Sequence, residues 1–235
     1  MSNNSENIYT RTALMLGDGA IELLRSAHVA VFGVGGVGGY AVEALARAGV
    51  GALTLIDADR VSVTNINRQI IATHKTVGQY KTEAARDRIA DINPECRVEC
   101  LNIFYGEDTA ESIDLSGFDY VIDAIDSVRS KVMLINRAHT QGVPIISSMG
   151  AGNKLDPTRF CVADISRTHT DPLAKAVRTE LRRLGINHLK VVFSDEPPIN
   201  PTSSRVPGSV SFVPSVVGLI MAGEVIKDIT RTSRS

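Results

Sequence analysis

The chain has 235 residues, 43% of them hydrophobic and 22% charged, and a formal net charge of −1. It is long enough for one large domain or two small ones, with a core that needs no staples, and its charge excludes a globally basic nucleic-acid coat. Three cysteines (Cys96, Cys100, Cys161) without a Cys-x-x-Cys pair exclude a disulfide scaffold and a four-thiolate zinc site.

In chain order, the opening residues Met1 to Arg11 are polar and lack the apolar run of a signal peptide. His28–Phe32 reads as a short buried strand, and Gly36–Ala48 as a helix with Val37, Ala41, Ala44, Leu45 and Ala48 on one face. Ala52–Ile56 is the second strand. A helix follows over Thr76–Ile92, stopped before Pro94. Arg97–Ile103 and Tyr120–Ile125 are the third and fourth strands, Val128–Thr140 a helix, and Pro144–Ser148 the fifth strand. This alternation predicts a doubly wound, mainly parallel α/β sheet with helices on both faces.

Beyond Gly150 two more strands fall at Arg159–Ile165 and Leu189–Ser194. Asp171 is a natural N-cap and Pro172 suits the first helical position, so a helix runs to Leu184. A long loop covers 195–210. The apolar helical stretch Val216–Ile229 contains Gly223, Glu224, Lys227 and Asp228, and is too short and too charged to span a bilayer. The expected organisation is one domain over 1–235, with a nucleotide-binding core (27–150) and a substrate-side extension (151–235). The expected address is the cytoplasm, with no membrane partner.

Gly33-Val-Gly35-Gly36-Val-Gly38 matches G-x-G-x-x-G after a strand and at the start of a helix. Glycines let the backbone approach a ligand, and the free N–H groups of a helix N-terminus suit phosphate. Asp57 ends the next strand nineteen residues after Gly38, where a carboxylate accepts from ribose hydroxyls. The pattern is Rossmann-like and signals an adenine nucleotide without distinguishing NAD, FAD or ATP. No G-x-x-x-x-G-K-[ST] occurs.

The tie is broken by Asp59, Asn65, Asn67, Arg68 and Gln69, then Lys81, then Asp123-Ala-Ile-Asp126. A dehydrogenase has no need of this polar set. A triphosphate needs cations for its oxygens, a polar amide, and a carboxylate for Mg²⁺. Arg68 and Lys81 supply charge, and Asp126 lies just past the carboxyl end of the fourth strand, where ligands of open α/β sheets bind.

These motifs resemble the ubiquitin-activating-enzyme-like (ThiF-like) adenylyltransferases. The resemblance implies attack of a carboxylate on the α-phosphate of ATP, releasing pyrophosphate and leaving an acyl-adenylate. It implies that Asp57 binds the ribose, that Asn65, Arg68 and Lys81 bind phosphates, and that Asp126 holds Mg²⁺. It implies a homodimer in which Arg11 reaches the partner's site, with Arg25 as an alternative. The zinc-binding Cys pairs and acceptor-loop cysteine of many such relatives are missing, and Cys161 reads as a small buried strand residue.

Further pieces are similar to the branch of that family that dehydrates threonylcarbamoyladenosine in tRNA: Gly150-Ala-Gly-Asn-Lys-Leu-Asp-Pro157, Val162 to Thr168, Asp171-Pro-Leu-Ala174 and Val206 to Pro214. That likeness implies adenylation of the threonyl carboxylate and cyclisation by the base's own carbamoyl group, with AMP leaving. An intramolecular nucleophile needs no catalytic cysteine.

Between Arg167 and Lys190 six Arg/Lys face two acids, and Lys175, Arg178 and Arg182 share one helix face. Such a stripe could follow tRNA phosphates, although by itself it more often marks a solvated helix face. Three other readings stand beside the tRNA enzyme. They are an activator of a small ubiquitin-like sulfur carrier, a nicotinamide oxidoreductase with no use for Arg68 or Lys81, and a non-catalytic nucleotide-binding scaffold or sulfur-relay partner.

Overall fold

The computed structural model describes residues 7–199 and 206–231. One seven-stranded sheet runs through it: β1 His28–Phe32, β2 Ala52–Ile56, β3 Arg97–Leu101, β4 Tyr120–Asp123, β5 Ile145–Ser148, β6 Phe160–Asp164 and β7 Lys190–Ser194. The spatial order is β3-β2-β1-β4-β5-β7-β6. All pairings are parallel except β6 with β7, so the expected doubly wound, mainly parallel sheet forms. The order reverses between β1 and β4, which pair from Val29↔Tyr120 to Phe32↔Asp123. A reversal opens a crevice beyond the carboxyl ends of these strands, because the connections leave it in opposite directions.

The helices are α1 Thr10–Leu16, α2 Asp18–Ser26, α3 Gly38–Ala48, α4 Lys81–Ile92, α5 Glu107–Ala110, α6 Val128–Gln141, α7 Pro172–Arg183 and α8 Phe212–Arg231. One face of the sheet is covered by α3, α4 and α8, through Ala41, Leu45, Ala85, Ile89, Val217, Met221 and Val225. The other carries α6 through Leu134 and Ala138, and then α7 through Ala174, Val177 and Leu181. The central strands β1, β2 and β4 are buried almost throughout, whereas the edge strand β3 is half exposed. Continuous apolar runs in the middle and mixed residues at the edge are what double-sided burial requires. Among the described residues no helix is long and apolar enough to cross a membrane.

Several expectations change. The helix expected from Thr76 begins at Lys81, because Tyr80 is extended and bridges Arg60. α8 starts at Phe212 and runs further at both ends than the apolar pattern suggests. α1 and α2 were not predicted; α1 buries nothing, so it has no core-facing periodicity to read. Cys161 is exposed rather than buried, since the edge strand β6 turns it outward. Of the 195–210 loop, residues 200–205 lie outside the described residues.

Candidate functional site

A cleft of about 810 Å³ opens at the carboxyl ends of the strands. The turn between β1 and α3 forms its floor. Gly33 has φ +87°, and a Cβ on Gly38 would lie 1.8 Å from the Gly33 carbonyl oxygen, so this tight return admits no side chain at either position. Gly33, Gly35 and Gly36 line the cleft, while Gly38 sits behind them at the start of α3.

Asp57 ends beside this turn. Its Oδ2 accepts from the Val34 N–H at 2.7 Å and its Oδ1 from the Asp59 N–H at 2.8 Å. Burial raises its pKa above the usual carboxylate range, opposed by the nearby Lys81 and the two backbone donors. The carboxylate therefore braces the glycine turn while keeping lone pairs for a ligand. Lys81 opens α4 with its side chain only 8% exposed, and its Nζ lies 2.7 Å from Asp59 Oδ2 and 3.9 Å from Asp57 Oδ2.

The segment after β2 folds as a 3-10 turn over Val63–Asn65. Asn65 Oδ1 accepts from the Ser62 N–H at 2.9 Å, which leaves its amide N–H₂ for other work. Arg68 donates to the Thr64 carbonyl and to Asn67 Oδ1, both at 2.9 Å. Gln69 is buried, and its Oε1 meets no hydrogen-bond partner among the described residues. Across the cleft Asp126 is exposed, two residues before α6 begins.

Thus Asp57, Asp59, Asn65, Arg68, Gln69, Lys81 and Asp126 line the same cleft as the three glycines. Arg11 does not line it; it lies exposed on α1. The basic stripe of α7 is also outside, although Pro172 and Leu173 at the start of that helix reach in. Lys175 and Arg182 are exposed, but Arg178 is committed to the protein: it donates to the Thr168 carbonyl at 2.9 Å and to the Thr168 hydroxyl.

The fit of Mg²⁺ rests on its donors. Among the described residues no three His, Cys, Asp or Glu side chains cluster as a metal site. Mg²⁺ bound with a nucleotide needs only one or two carboxylates beside the phosphate oxygens, and the exposed Asp126 matches that donor set.

Several contacts with structural weight here join residues that the sequence does not pair. Lys131 of α6 and Asp123 of β4 are both fully buried, 2.8 Å apart, with the Ser147 hydroxyl donating to the same carboxylate oxygen at 2.6 Å. Asp123 Oδ1 accepts from the Ile125 N–H at 3.1 Å, one residue before Asp126. Lys154 is buried at the far wall, 3.0 Å from the Ser194 carbonyl and 3.7 Å from Asp171 Oδ2; burial lowers its pKa. Glu196 accepts from the Leu155 and Asp156 N–H groups at 3.0 Å each. Apart from the Asp123–Ile125 bond, these partners are eight to forty-one residues apart, so no local pattern announces them. Burial pushes the Cys96 thiol up to about 11 and raises those of Cys100 and Cys161 as well, which disfavours their thiolate forms.

The ThiF family profile matches residues 9–235. The chain belongs to the ThiF family. This ThiF-family chain is 49% identical to the tRNA threonylcarbamoyladenosine dehydratase of Bacillus subtilis (strain 168), over 95% of its own length and 94% of that protein's. Its fold superposes on the crystal structure of Escherichia coli tRNA N6-threonylcarbamoyladenosine dehydratase in complex with ATP, with a TM-score of 0.89 and 38% identity. That match covers 99% of this chain and 98% of the other. The AMP complex of the same E. coli protein matches at TM-score 0.90 and 39% identity, over 96% and 95% of the two chains.

Proposed function

We propose that this ThiF-family chain is an ATP-dependent dehydratase acting on threonylcarbamoyladenosine in tRNA. The observation that carries the reading is the shared cleft. One half has the glycine turn, Asp57, Arg68, Lys81 and Asp126; the other, formed by Ser148–Lys154 and 206–209, is open for an acceptor. Near-full-length identity to a protein of that name, and likeness to a structure holding ATP, support it. We place the nucleotide half in a core over 27–150 and the acceptor half in an extension over 151–235 of a single unit, with Ser148–Gly150 at the junction of the two.

The threonyl carboxylate attacks the α-phosphorus of ATP and pyrophosphate leaves. The carbamoyl group of the same nucleoside then attacks the activated carbonyl, AMP departs with the former carboxylate oxygen, and the nucleoside has lost one water. The chain's work is positioning and charge. Asp57 receives the ribose hydroxyls, while Asn65, Gln69 and the backbone of the glycine turn orient the nucleotide. Arg68 and Lys81 face the phosphates. Held rigidly in a cleft, such cations stabilise developing negative charge better than water does, because they need no reorganisation as it forms. Asp59 shares Lys81 and keeps it in place until phosphate competes for it. Asp126 would hold Mg²⁺, whose charge offsets that of the triphosphate. No covalent enzyme intermediate is needed, in keeping with the raised thiols.

We also place Arg11 in the partner's site of a homodimer. In support, α1 exposes Leu14 by 83% and Met15 by 79%, apolar surface suited to a second copy. Lys175 and Arg182 are the residues of α7 free to follow tRNA phosphates. The test is product analysis: AMP and pyrophosphate should form only when ATP, Mg²⁺ and tRNA carrying threonylcarbamoyladenosine are all present. Release driven by a small sulfur-carrier protein instead, with tRNA inert, would overturn the reading. Mixing inactive Arg11→Ala and Asp126→Ala chains should restore activity in mixed dimers; no recovery would remove Arg11 from the partner's site.

A further inference from the structure

Asn153 joins three stretches of the acceptor half. Asn153 has φ +58°, a left-handed backbone that a side chain other than glycine's seldom adopts. Its main chain and side chain clasp Gly208 from both sides: its N–H donates to the Gly208 carbonyl at 2.8 Å, and its Oδ1 accepts from the Gly208 N–H at 2.6 Å. Its carbonyl accepts from the Ile199 N–H at 2.7 Å. Asn153 therefore fastens two points of chain, residues 199 and 208, to the loop that follows β5.

Gly208 lines the cleft with Val206, Pro207 and Ser209, Pro198 lines it beside residue 199, and both stretches adjoin the Ser148–Lys154 loop that lines the same cleft. The 206–209 segment is tied on its other side as well. The Ser209 carbonyl accepts from Asn67 Nδ2 at 3.0 Å, and Asn67 Oδ1 in turn receives Arg68. The segment thus spans from the acceptor wall to the phosphate-side arginine, with an asparagine at each end. Glycine would meet the backbone demand at 153 with less strain. Only a side chain with a short acceptor meets it and also closes the Gly208 clasp.

We propose that Asn153 is a positioning residue for the acceptor nucleoside, fixing the 206–209 wall at the width the acceptor requires. This rests on the dehydratase reading for the identity of the acceptor. ATP handling stays nearly independent of the clasp, because Asn67 still holds Arg68 when Asn153 lets go.

Two variants and two readouts test it on the full chain. Asn153→Gly keeps the left-handed backbone and removes only the side-chain acceptor. It should raise KM for the modified tRNA about tenfold while KM for ATP and kcat change by less than about twofold. Amide hydrogen exchange over the peptide containing Gly208 reads the clasp without substrate. Exchange should quicken about tenfold in Asn153→Gly and return towards wild type in Asn153→Asp, which restores an acceptor oxygen. Unchanged exchange overturns the clasp whatever the turnover shows. Quickened exchange with an unaltered KM for tRNA, or with both KM values and kcat degraded together, overturns the positioning role. A wild-type chain without tRNA-dependent turnover counts against the dehydratase reading alone and leaves the exchange result to judge the clasp.

Discussion

The two halves of the cleft are made by different means. The nucleotide half is built from local pieces: the turn at Gly33–Gly38, the strand end at Asp57 and the 3-10 turn at 63–65 each take shape within a few residues, and the Asp57–Val34 and Lys81–Asp59 bonds then join them. The backbone does much of the work there. The acceptor half is assembled at long range, with Asn153 bonded to residues 199 and 208 and Glu196 capping the N–H groups of residues 155 and 156. A nucleotide is the same molecule in every such enzyme and suits a fixed short motif. An acceptor differs between branches and suits a wall built from separable pieces.

The sharpest way to break this contrast is at the turn. Gly38→Ala places a methyl group where the Gly33 carbonyl already lies, so ATP binding measured by titration calorimetry should be lost. Wild-type affinity in a chain of unchanged Tm would show that the turn is not the nucleotide floor. The next effect concerns the support between the halves. Lys131→Met strands the Asp123 carboxylate in a fully buried site, and urea unfolding should report a loss of about 3–5 kcal/mol. Adding Asp123→Asn should recover much of it. If the double variant unfolds as readily as the single one, the stranded charge is not the cause.

Asp126 lies on the loop that this buried pair supports, yet is itself exposed. Asp126→Ala should keep Tm and lower kcat by about a hundredfold or more, read as AMP formation over a range of Mg²⁺ concentrations. Normal turnover would remove it from the reaction. The smallest effect lies outside both halves, at Glu43. Burial alone would raise its pKa, but bonds from Arg88 at 2.6 Å and Arg47 at 2.7 Å together hold its carboxyl below the usual range. A lowered folded-state pKa contributes stability above the unfolded value of about 4.3, lost as pH falls through the folded value. The stability gap between wild type and Glu43→Gln should therefore be widest near neutrality and narrow below about pH 4. A gap independent of pH would contradict the assignment.

The same contrast explains what the sequence could disclose. The strands were legible because buried parallel strands are continuous apolar runs. The nucleotide residues were legible because their spacing is short and chemically constrained. Asp171 was legible as a cap, and its side chain does accept from the Ala174 N–H at 3.0 Å. Its second bond, from the Gly150 N–H at 2.9 Å, was not, because Gly150 lies twenty-one residues away. Lys131 was silent for the same reason, and so were the contacts of Asn153 and Lys154 within the Gly150–Pro157 motif: a buried lysine or a left-handed asparagine looks like any surface residue until its distant partner is known. Cys161 misled because an edge strand has a solvent face that its apolar neighbours conceal. The charged face of α7 was visible, but not that Arg178 is spent on the 165–168 turn.

The central claim is that one cleft activates a carboxylate with ATP and lets the same nucleoside close on it. Nucleoside mass spectrometry tests this most directly, after incubating the protein with ATP, Mg²⁺ and tRNA bearing threonylcarbamoyladenosine. The account predicts loss of one water from that nucleoside, dependent on ATP and matched by AMP. An unchanged nucleoside in the presence of protein that demonstrably binds ATP would contradict it.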